Sequence, residues 1–465
     1  MNSEDTICAI ATGRGGAIGI IRVSGRDAIT VADRIFSPVA AGGIPLAQRK
    51  AYTISYGNVK GHDGETIDDV LISIFRAPHS YTGEDSVEIS CHGSSYILQQ
   101  ILQLLIDNGC RAAEPGEFTR RALLCGKMDL SQAEAVADLI ASSTKATHRI
   151  AMNQMRGAFS RELSLLRDKL LRLTSLMELE LDFSDHEELE FADRTELHDT
   201  ATQIETVIAR LASSFSLGNA IKNGVPVAIV GETNAGKSTL LNALLGEDRA
   251  IVSDIHGTTR DVIEDTIDIG GTTFRFIDTA GIRDTADTIE RLGIDRTFKK
   301  INQASIVLWV VDQTEAAQQI SQLSEKLLSM CSGKTLILLL NKSDLQPASS
   351  SSNKIDLPQN VKVVSLSAKQ KRGLDKLQSL LIETAHIPEI SQNEVVVTNI
   401  RHYEALTNAL AAIRRVCQGM ADGLPSDLIS QDLRECLHHL AEITGGEITS
   451  EETLQNIFKH FCVGK

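Results

Sequence analysis

The sequence predicts a multidomain protein of mixed α+β and α/β class. Its 465 residues exceed what one hydrophobic core organises, because a domain usually has about 50 to 250 residues. Short β-type runs fill the first quarter of the chain, and helical spacing of apolar residues follows them. Strands then alternate with helices before helical spacing returns. We expect an N-terminal α+β domain, a discontinuous helical domain and an α/β domain inserted into it.

The N-terminal domain is predicted to span residues 1–127. Its β-type runs are residues 18–23, 66–75 and 86–91, and Gly-rich turns separate them. One helical stretch, residues 97–106, interrupts the strands. This mixture of strands and one helix predicts an α+β fold.

The helical domain is predicted to consist of residues 128–217 and 384–465. Ser131 and Glu134 fit a capping box that starts a helix. Apolar residues recur at helical spacing in both parts: Leu163, Leu166, Leu170, Leu173, Met177, Ile204, Val207, Ile208, Leu211 and Phe215, then Leu406, Leu410, Ile413, Ile429, Leu433, Cys436, Leu440 and Ile443. Two separate helical domains remain the alternative.

The inserted α/β domain is predicted to span residues 218–383. After a connector at residues 218–226, an apolar strand at 227–230 leads through a Gly-rich turn into a helix that begins at Lys237. Further strands are expected at residues 273–277, 336–340 and 361–364. The alternation of strands and helices predicts a parallel sheet.

Composition excludes several classes of protein. The formal net charge is −15, so a nucleic acid backbone is repelled on average and any contact with it must be local. No apolar run reaches the roughly 20 residues of a membrane-spanning helix. The first residues lack the basic and apolar segments of a secretory signal, and the eight cysteines lack zinc-site spacing. We expect a cytoplasmic protein with reduced thiols.

Residues 231–238, G-E-T-N-A-G-K-S, match the phosphate-binding loop G-x-x-x-x-G-K-[ST] between a strand and a helix. Glycines allow consecutive N–H groups to surround an anion at the helix N-terminus, and Lys237 supplies charge to the β- and γ-phosphates. The Ser238 hydroxyl is a predicted Mg²⁺ ligand. The predicted nucleotide contacts of this loop are Asn234, Ala235, Gly236, Lys237, Ser238 and Thr239.

Two further segments have the character of nucleotide-sensing loops. Residues 278–281, D-T-A-G, follow a predicted strand and offer a carboxylate to the Mg²⁺ shell and a glycine N–H to the γ-phosphate. The other segment contains Gly257, Thr258 and Thr259, and the hydroxyls of the two threonines lie where a γ-phosphate-sensing loop is expected. Thr259 is the predicted second Mg²⁺ ligand. Ile282 cannot orient a water molecule, so another group must do so. The predicted contacts are Ser253, Asp254, Ile255, His256, Gly257, Thr258, Thr259, Asp278, Thr279, Ala280 and Gly281.

Residues 341–344, N-K-S-D, follow an apolar strand and predict a guanine-binding loop. The Asp344 carboxylate can accept hydrogen bonds from N1–H and the 2-amino group of guanine, whereas adenine has no matching pair of donors. Ser367 and Ala368 are expected to close over the base, and Asn341 and Lys342 complete the predicted contacts. Four ordered elements predict a Ras-like P-loop GTPase and argue against a kinase or ATPase.

Four motifs resemble those of the tRNA modification GTPases called MnmE or TrmE. They are T-I-C-A-I-A-T from Thr6, Y-T-G-E-D from Tyr81, P-G-E-F-T-R-R-A from Pro115 and the ending F-C-V-G-K. The resemblance covers essentially the whole chain, and the terminal C-x-G-K is its most discriminating part.

This resemblance implies that K⁺ joins Mg²⁺ at the nucleotide site. By position its ligands are Asn234, Ser253, Ile255 and Thr258, of which Ser253 and Ile255 act through backbone carbonyls. A fixed cation there can neutralise the charge that develops between the β- and γ-phosphates. The resemblance also implies that Glu290 positions the hydrolytic water, with Asp284 as the second candidate.

The resemblance further implies a tetrahydrofolate one-carbon donor, in the 5,10-methylene or 5-formyl form, bound by the N-terminal domain. The matching residues are Arg22, Glu88, Lys127 and Lys465. A carboxylate can pair with the N–H donors of a pterin, and cationic side chains suit the folate carboxylates. Cys462 is a candidate nucleophile in the uridine chemistry.

Members of this family act as homodimers through their N-terminal domains and work with an FAD-dependent partner, MnmG, which also uses NADH. Together they modify C5 of the wobble uridine, position 34, of certain tRNAs. The flavin belongs to the partner, in agreement with the absence of a flavin fingerprint here. The alternative function is a regulatory or RNA-assembly switch without folate chemistry. A one-carbon enzyme with a vestigial GTPase is disfavoured by the complete set of nucleotide motifs.

Overall fold

The computed structural model describes residues 5–13, 15–39, 43–182, 194–247, 265–277, 301–331, 333–345, 361–388, 394–446, 454, 457–459, 461 and 463–464. The chain divides into two compact units. Unit 1 contains Met1–Ala141, Met152–Ile204 and Asn408–Lys465, and unit 2 contains Ser142–Ala151 and Glu205–Thr407.

The strands within these ranges are β1 (Ile7–Ile10), β2 (Ile18–Ser24), β3 (Phe36–Pro38), β4 (Thr53–Lys60), β5 (Thr66–Phe75), β6 (Ser86–His92), β7 (Arg111–Ala112), β8 (Val225–Val230), β9 (Asp265–Ile269), β10 (Thr272–Phe276), β11 (Ile306–Asp312), β12 (Thr335–Asn341) and β13 (Lys362–Ser365). The helices are α1 (Ala28–Ile35), α2 (Ser95–Asp107), α3 (Glu117–Leu124), α4 (Leu130–Ala141), α5 (Lys145–Met155), α6 (Ala158–Asp182), α7 (Arg194–Asn223), α8 (Lys237–Glu247), α9 (Ala316–Met330), α10 (Leu374–Ala385), α11 (Ile400–Ala421) and α12 (Ser426–Thr444). Short 3₁₀ turns cover Leu46–Gln48 and Ser343–Leu345.

The sheet of unit 1 has the strand order β3-β4-β5-β6-β2-β1-β7. Its pairs are antiparallel except β1 with β7. Period-2 alternation sets the two faces: Val70, Ile72 and Ile74 of β5 are buried, whereas Asp69 and Leu71 are exposed. The buried face packs against α1 and α2 in one hydrophobic core. The predicted α+β fold is confirmed.

Helix α4 begins at Leu130, one residue before Ser131, so the predicted capping box was wrong in register. The Asp129 carboxylate accepts a hydrogen bond from the Gln132 N–H at 2.9 Å, and the Gln132 side chain accepts one from the Asp129 N–H at 3.0 Å. Aspartate is as good an N-cap as serine, and here the reciprocal pair is Asp129 with Gln132. Ser131 instead donates to Asp129 at 2.7 Å.

The sheet of unit 2 has the order β13-β12-β11-β8-β10-β9, and only β9 with β10 is antiparallel. Ile306, Leu308 and Val310 of β11 pack on the side of α8 and α10. Val307, Trp309 and Val311 pack on the opposite side with residues of α9. Burial of both faces explains why this strand is a continuous apolar run.

The predicted connector at residues 218–226 was wrong for residues 218–223, because α7 continues to Asn223. A Cβ atom on Gly218 would collide with the backbone carbonyl of Val397. Ser214, one turn earlier, accepts a hydrogen bond from the Val397 N–H at 3.1 Å. Gly218 therefore permits close approach of the 394–399 segment to a helix, and does not end that helix.

Of the helices within the described ranges, none has the length and apolar character that crossing a membrane requires.

The carboxyl ends of β8, β11, β12 and β13 lie at the same edge of their sheet, since the four strands are parallel. Ligands of open parallel sheets bind at this edge. The predicted phosphate and base loops follow three of these strands.

Candidate functional site

The phosphate loop joins the end of β8 to the start of α8, as predicted. Gly231 and Gly236 have φ values of 150° and 98°, which favour glycine. Asn234 also has a positive φ, 68°, and its side chain is exposed. The Lys237 ammonium donates to the carbonyls of Gly231 at 2.8 Å and Glu232 at 2.7 Å. Ser238 and Thr239 stand in the first turn of α8, where N–H groups lack intrahelical acceptors.

Asn341 connects the phosphate loop to the base loop. Its side-chain amide donates to the Ala235 carbonyl at 2.8 Å, and its amide oxygen accepts the Ala368 N–H at 3.0 Å. Asn341 is only 2% exposed, and Ala235 and Ala368 are buried as well. A Cβ atom on Gly236 would collide with the Asn341 amide nitrogen. We call this pair of hydrogen bonds the Asn341 brace.

The Asp344 carboxylate is oriented to accept hydrogen bonds. The Ser367 hydroxyl donates to its Oδ1 atom at 2.6 Å. This hydrogen bond, aided by the charges of Lys369 and Arg372, lowers the pKa of Asp344 below its ordinary value despite some burial. The carboxylate is therefore ionised at neutral pH and acts only as an acceptor. Lys342 and Asp344 lie together with Ser367 and Ala368. The contact of these four residues with a base stays a prediction.

Asp312 belongs to this loop cluster, although sequence reasoning missed it. It ends β11 opposite Asn341 of β12 and accepts a bond from the Lys342 ammonium at 2.6 Å. Burial raises the pKa of Asp312, but hydrogen bonds from Lys342 and Thr314 outweigh burial and lower it. Its position at the carboxyl end of an apolar strand was the signal that could have identified it.

Several predicted site residues lie outside the described ranges. They are Ser253, Asp254, Ile255, His256, Gly257, Thr258, Thr259, Asp278, Thr279, Ala280, Gly281, Asp284, Glu290, Cys462 and Lys465. Their assigned roles stay predictions.

Arg22 and Glu88 face each other across β2 and β6 on the side of the sheet that α1 and α2 do not cover. The Arg22 Nε and Nη2 atoms donate to the same carboxylate oxygen, Oε1, at 3.0 and 2.8 Å. The Arg22 Nη1 atom donates a hydrogen bond to the Gly464 carbonyl at 3.4 Å. The family resemblance implied both residues as folate ligands; the structure brings them together as an ion pair, and their contact with a ligand stays a prediction.

Two aromatic rings hold the Arg22 guanidinium, and sequence reasoning missed both. Its central carbon lies 5.3 Å from the ring centre of Tyr81 and 5.6 Å from that of Phe118. The Tyr81 hydroxyl shares a 2.8 Å hydrogen bond with Thr119, which fixes the ring. No spacing rule relates positions 22, 81 and 118, so only the fold could reveal this contact.

A buried ion cluster fixes the start of α3, next to Phe118. Glu117 is 2% exposed and accepts bonds from Arg111 at 2.6 Å and from Arg121 at 3.1 Å. Burial raises the pKa of Glu117, but hydrogen bonds from Arg111, from a backbone N–H and from Arg121 outweigh burial and lower it. Asp5 and Glu84 also pair with Arg121, at 2.6 and 3.2 Å.

The described part of the C-terminal tail packs against the same region of unit 1. A Cβ atom on Gly116, whose φ is 66°, would lie 2.9 Å from Phe461 and 3.0 Å from Phe458. Gly464 has a φ of 96° and lies against Ile10. Residues of all four motifs that carry the family resemblance thus meet in unit 1.

Lys127 donates to the Pro78 carbonyl at 2.9 Å. It lies beside Gly83, two residues after Tyr81, because a Cβ atom on Gly83 would come within 3.3 Å of the Lys127 side chain. Lys127 is thus close to the Y-T-G-E-D segment, although its ammonium group already donates a hydrogen bond to the backbone carbonyl of Pro78.

Comparisons with known proteins decide the family. The model of the MnmE helical domain matches residues 130–462, and that of the N-terminus of the GTP-binding protein TrmE matches residues 6–127. The chain is 62% identical to the tRNA modification GTPase MnmE of Bacteroides fragilis and to that of Bacteroides thetaiotaomicron. It is 60% identical to that of Phocaeicola vulgatus, and all three alignments cover 100% of both chains. The chain belongs to the MnmE family.

Membership of the MnmE family agrees with the loops of unit 2. This chain is a GTP hydrolase with a P-loop GTPase domain, and such enzymes use Mg²⁺ with their nucleotide. The residues present fit this ion, because Ser238 offers a hydroxyl oxygen, the ligand type that Mg²⁺ prefers, directly after Lys237. The predicted fold, a discontinuous helical domain with an inserted GTPase domain, is confirmed.

The Asn341 brace predicts a defined loss of stability. Replacing Asn341 by Ala leaves a buried carbonyl and a buried N–H without their partner, which costs about 2 to 4 kcal/mol in free energy of unfolding. Guanidinium unfolding followed by the fluorescence of Trp309 measures this loss, because the chain's one tryptophan is buried in β11 of the same sheet. Asn223→Ala is the control, since the Asn223 side chain is exposed and bonds only within α7. Equal unfolding midpoints for the two variants would contradict the assigned role.

Proposed function

We propose that this chain hydrolyses GTP to drive a conformational change during modification of tRNA. The observation that carries this proposal is the braced pair of loops in unit 2, in which Asn341 joins the phosphate loop to the base loop. Lys237 and the start of α8 offer positive charge to phosphates, and the ionised Asp344 offers an acceptor to guanine. The names of the three relatives support tRNA as the molecule modified.

Catalysis at this site is proposed to need K⁺ as well as Mg²⁺. The proposed K⁺ ligands are Asn234, Ser253, Ile255 and Thr258. The exposed amide of Asn234, in a left-handed backbone conformation on the phosphate loop, supports this role because an amide oxygen is a suitable ligand for a hard cation. When bound, the two ions supply positive charge near the β- and γ-phosphates. Glu290 is proposed to orient the water, with Asp284 second, and Thr259 to complete the Mg²⁺ ligands.

Hydrolysis of GTP is expected to be about tenfold or more faster in KCl than in NaCl at equal ionic strength. Asn234→Gly should abolish the difference, because glycine accepts the positive φ but has no amide. Thr233→Ala is the matched control, since Thr233 is an exposed neighbour in the same loop and has no proposed role. Phosphate release under saturating GTP is the measurement. Equal wild-type rates in the two salts would remove K⁺ from the mechanism.

The N-terminal domain is proposed to bind a tetrahydrofolate derivative, in the 5,10-methylene or 5-formyl form. Both hydrogen bonds from Arg22 to Glu88 go to the Oε1 atom, so Oε2 accepts no hydrogen bond from Arg22 and suits the N–H donors of a pterin. Arg22 is about one-fifth exposed and Glu88 about one-quarter exposed, so a ligand can reach both. Lys127 and Lys465 are proposed to attract the folate carboxylates, and Cys462 to assist the uridine chemistry.

The chain is further proposed to work in the cytoplasm as a homodimer with an MnmG-type flavoprotein that carries FAD. Dimerisation is proposed to use the domain of residues 1–127, and the exposed side chains of Ile54, Tyr56 and Leu71 support it with apolar area. The product is proposed to be a tRNA modified at C5 of the wobble uridine. The proposed boundaries of the remaining domains are 128–217, 218–383 and 384–465.

Calorimetric titration with 5-formyltetrahydrofolate tests the folate proposal. The wild-type protein should bind, and Arg22→Ala should weaken binding by about tenfold or more, because a hydrogen bond to a charged group contributes roughly 1.5 to 3 kcal/mol. Arg34→Ala is the control, since Arg34 is exposed in the same unit and donates only to the Asn108 carbonyl. Absence of binding heat with the wild-type protein would favour a GTPase switch without folate chemistry.

A further inference from the structure

The last two turns of α12 carry a cluster of metal-ligating side chains that the proposed function does not use. A ligand atom of each of His438, His439 and Glu442 lies within 4.8 Å of those of the other two. The Nε2 atom of His438 is 3.5 Å from Oε1 of Glu442, and the Nδ1 atom of His439 is 3.1 Å from Oε2. Spacings of three and four residues bring these groups onto one face of the helix.

These separations match those around a bound transition metal ion. Imidazole nitrogens and carboxylate oxygens lie about 2.0 to 2.2 Å from Zn²⁺, so neighbouring ligands of a tetrahedral site are about 3.3 to 3.6 Å apart. The two measured separations from Glu442, 3.1 and 3.5 Å, fall close to this interval. The two separations involve different oxygens of Glu442, Oε1 for His438 and Oε2 for His439, and all three ligand atoms lie within 4.8 Å of one another. Side-chain rotations that bring the two imidazoles closer together let the three groups share one ion.

The structure also supplies outer partners for one of the ligands. Oε1 of Glu435 lies 3.8 Å from Nε2 of His439, the ring atom opposite the one that faces Glu442. Oε2 of Glu435 accepts a bond from Arg415 at 2.5 Å, and Arg415 also pairs with Asp432 at 2.7 Å. The 3.8 Å separation is longer than a hydrogen bond, so Glu435 must approach His439 by a few tenths of an ångström to bond to it. A carboxylate that is hydrogen-bonded to a histidine ligand fixes its ring orientation and raises its basicity. The His439 side chain is 18% exposed, so its ring is already restrained.

The position along the helix favours a cation. Glu442 lies two residues before the end of α12 at Thr444. The carbonyl groups of a last helical turn carry partial negative charge, which attracts positive ions. Two imidazoles and one carboxylate select borderline metals such as Zn²⁺ over Mg²⁺, which prefers oxygen ligands.

We propose that His438, His439 and Glu442 bind one Zn²⁺ ion or a similar divalent transition metal ion, separate from the ions of the nucleotide site. Water molecules complete the coordination, because the His438 and Glu442 side chains are about half exposed. The ion exchanges with solvent for the same reason. Glu435 acts as a positioning residue through His439.

Competition with a chromogenic Zn²⁺ indicator tests this site in the untagged full-length protein with excess Mg²⁺. Wild-type protein should bind one more Zn²⁺ equivalent than His439→Ala, and Glu442→Gln should weaken that equivalent about tenfold or more. Glu435→Gln should weaken it while the number of ions stays unchanged. His62→Ala is the matched control, since His62 is an exposed histidine with the single carboxylate partner Asp107 at 3.0 Å.

The control should bind Zn²⁺ as the wild-type protein does. If wild type, His439→Ala and Glu442→Gln bind equal numbers of ions with equal affinity, the three residues form only solvated surface ion pairs and the proposal is wrong. Because the comparison counts the difference between variants, Zn²⁺ held by thiols elsewhere does not affect it.

Discussion

The nucleotide site depends on one buried amide. Asn341 ends β12, and its side chain satisfies a carbonyl of the phosphate loop and an N–H of the base loop at once. Because all three residues are buried, neither backbone group can exchange its partner for water without cost. The brace also explains Gly236, since any side chain at that position would occupy the space of the Asn341 amide.

The remaining contacts of the site extend from this point along the sheet edge. Parallel register sets Asp312 opposite Asn341, and Asp312 then pairs with Lys342. Ser367, one residue before the braced Ala368, orients the Asp344 carboxylate. The loops thus derive their positions from a sheet that is buried on both faces, and a preformed site binds its ligand without a large ordering cost.

In unit 1, buried ion pairs fix the positions of the residues around Arg22. Buried ions are costly unless each has partners, and here Glu117 and Arg121 each have at least two partners of opposite charge. The cluster holds the start of α3, from which Phe118 contacts Arg22 and Thr119 holds Tyr81. Motifs far apart in sequence therefore contact the same arginine, and the tail contributes the Gly464 carbonyl.

Local patterns predicted the elements well, because strand alternation and the phosphate-loop spacing are properties of neighbouring residues. Strand β5 and the start of α8 at Lys237 agree with the prediction. Gly218 was misinterpreted because its reason, the approach of Val397, is distant in sequence. The partners of Arg22 and the role of Asp312 were missed for the same reason. The capping box at α4 failed because aspartate and serine compete as N-caps two residues apart.

We propose that Asp344 recognises the guanine base at a site braced by Asn341. This recognition is tested by the ratio of the affinities for GTP and for xanthosine triphosphate, determined for the wild-type protein and for Asp344→Asn. An amide can donate a hydrogen bond where xanthine accepts one. We expect that wild type prefers GTP and that the variant prefers xanthosine triphosphate. A variant that retains the wild-type preference for GTP would contradict it.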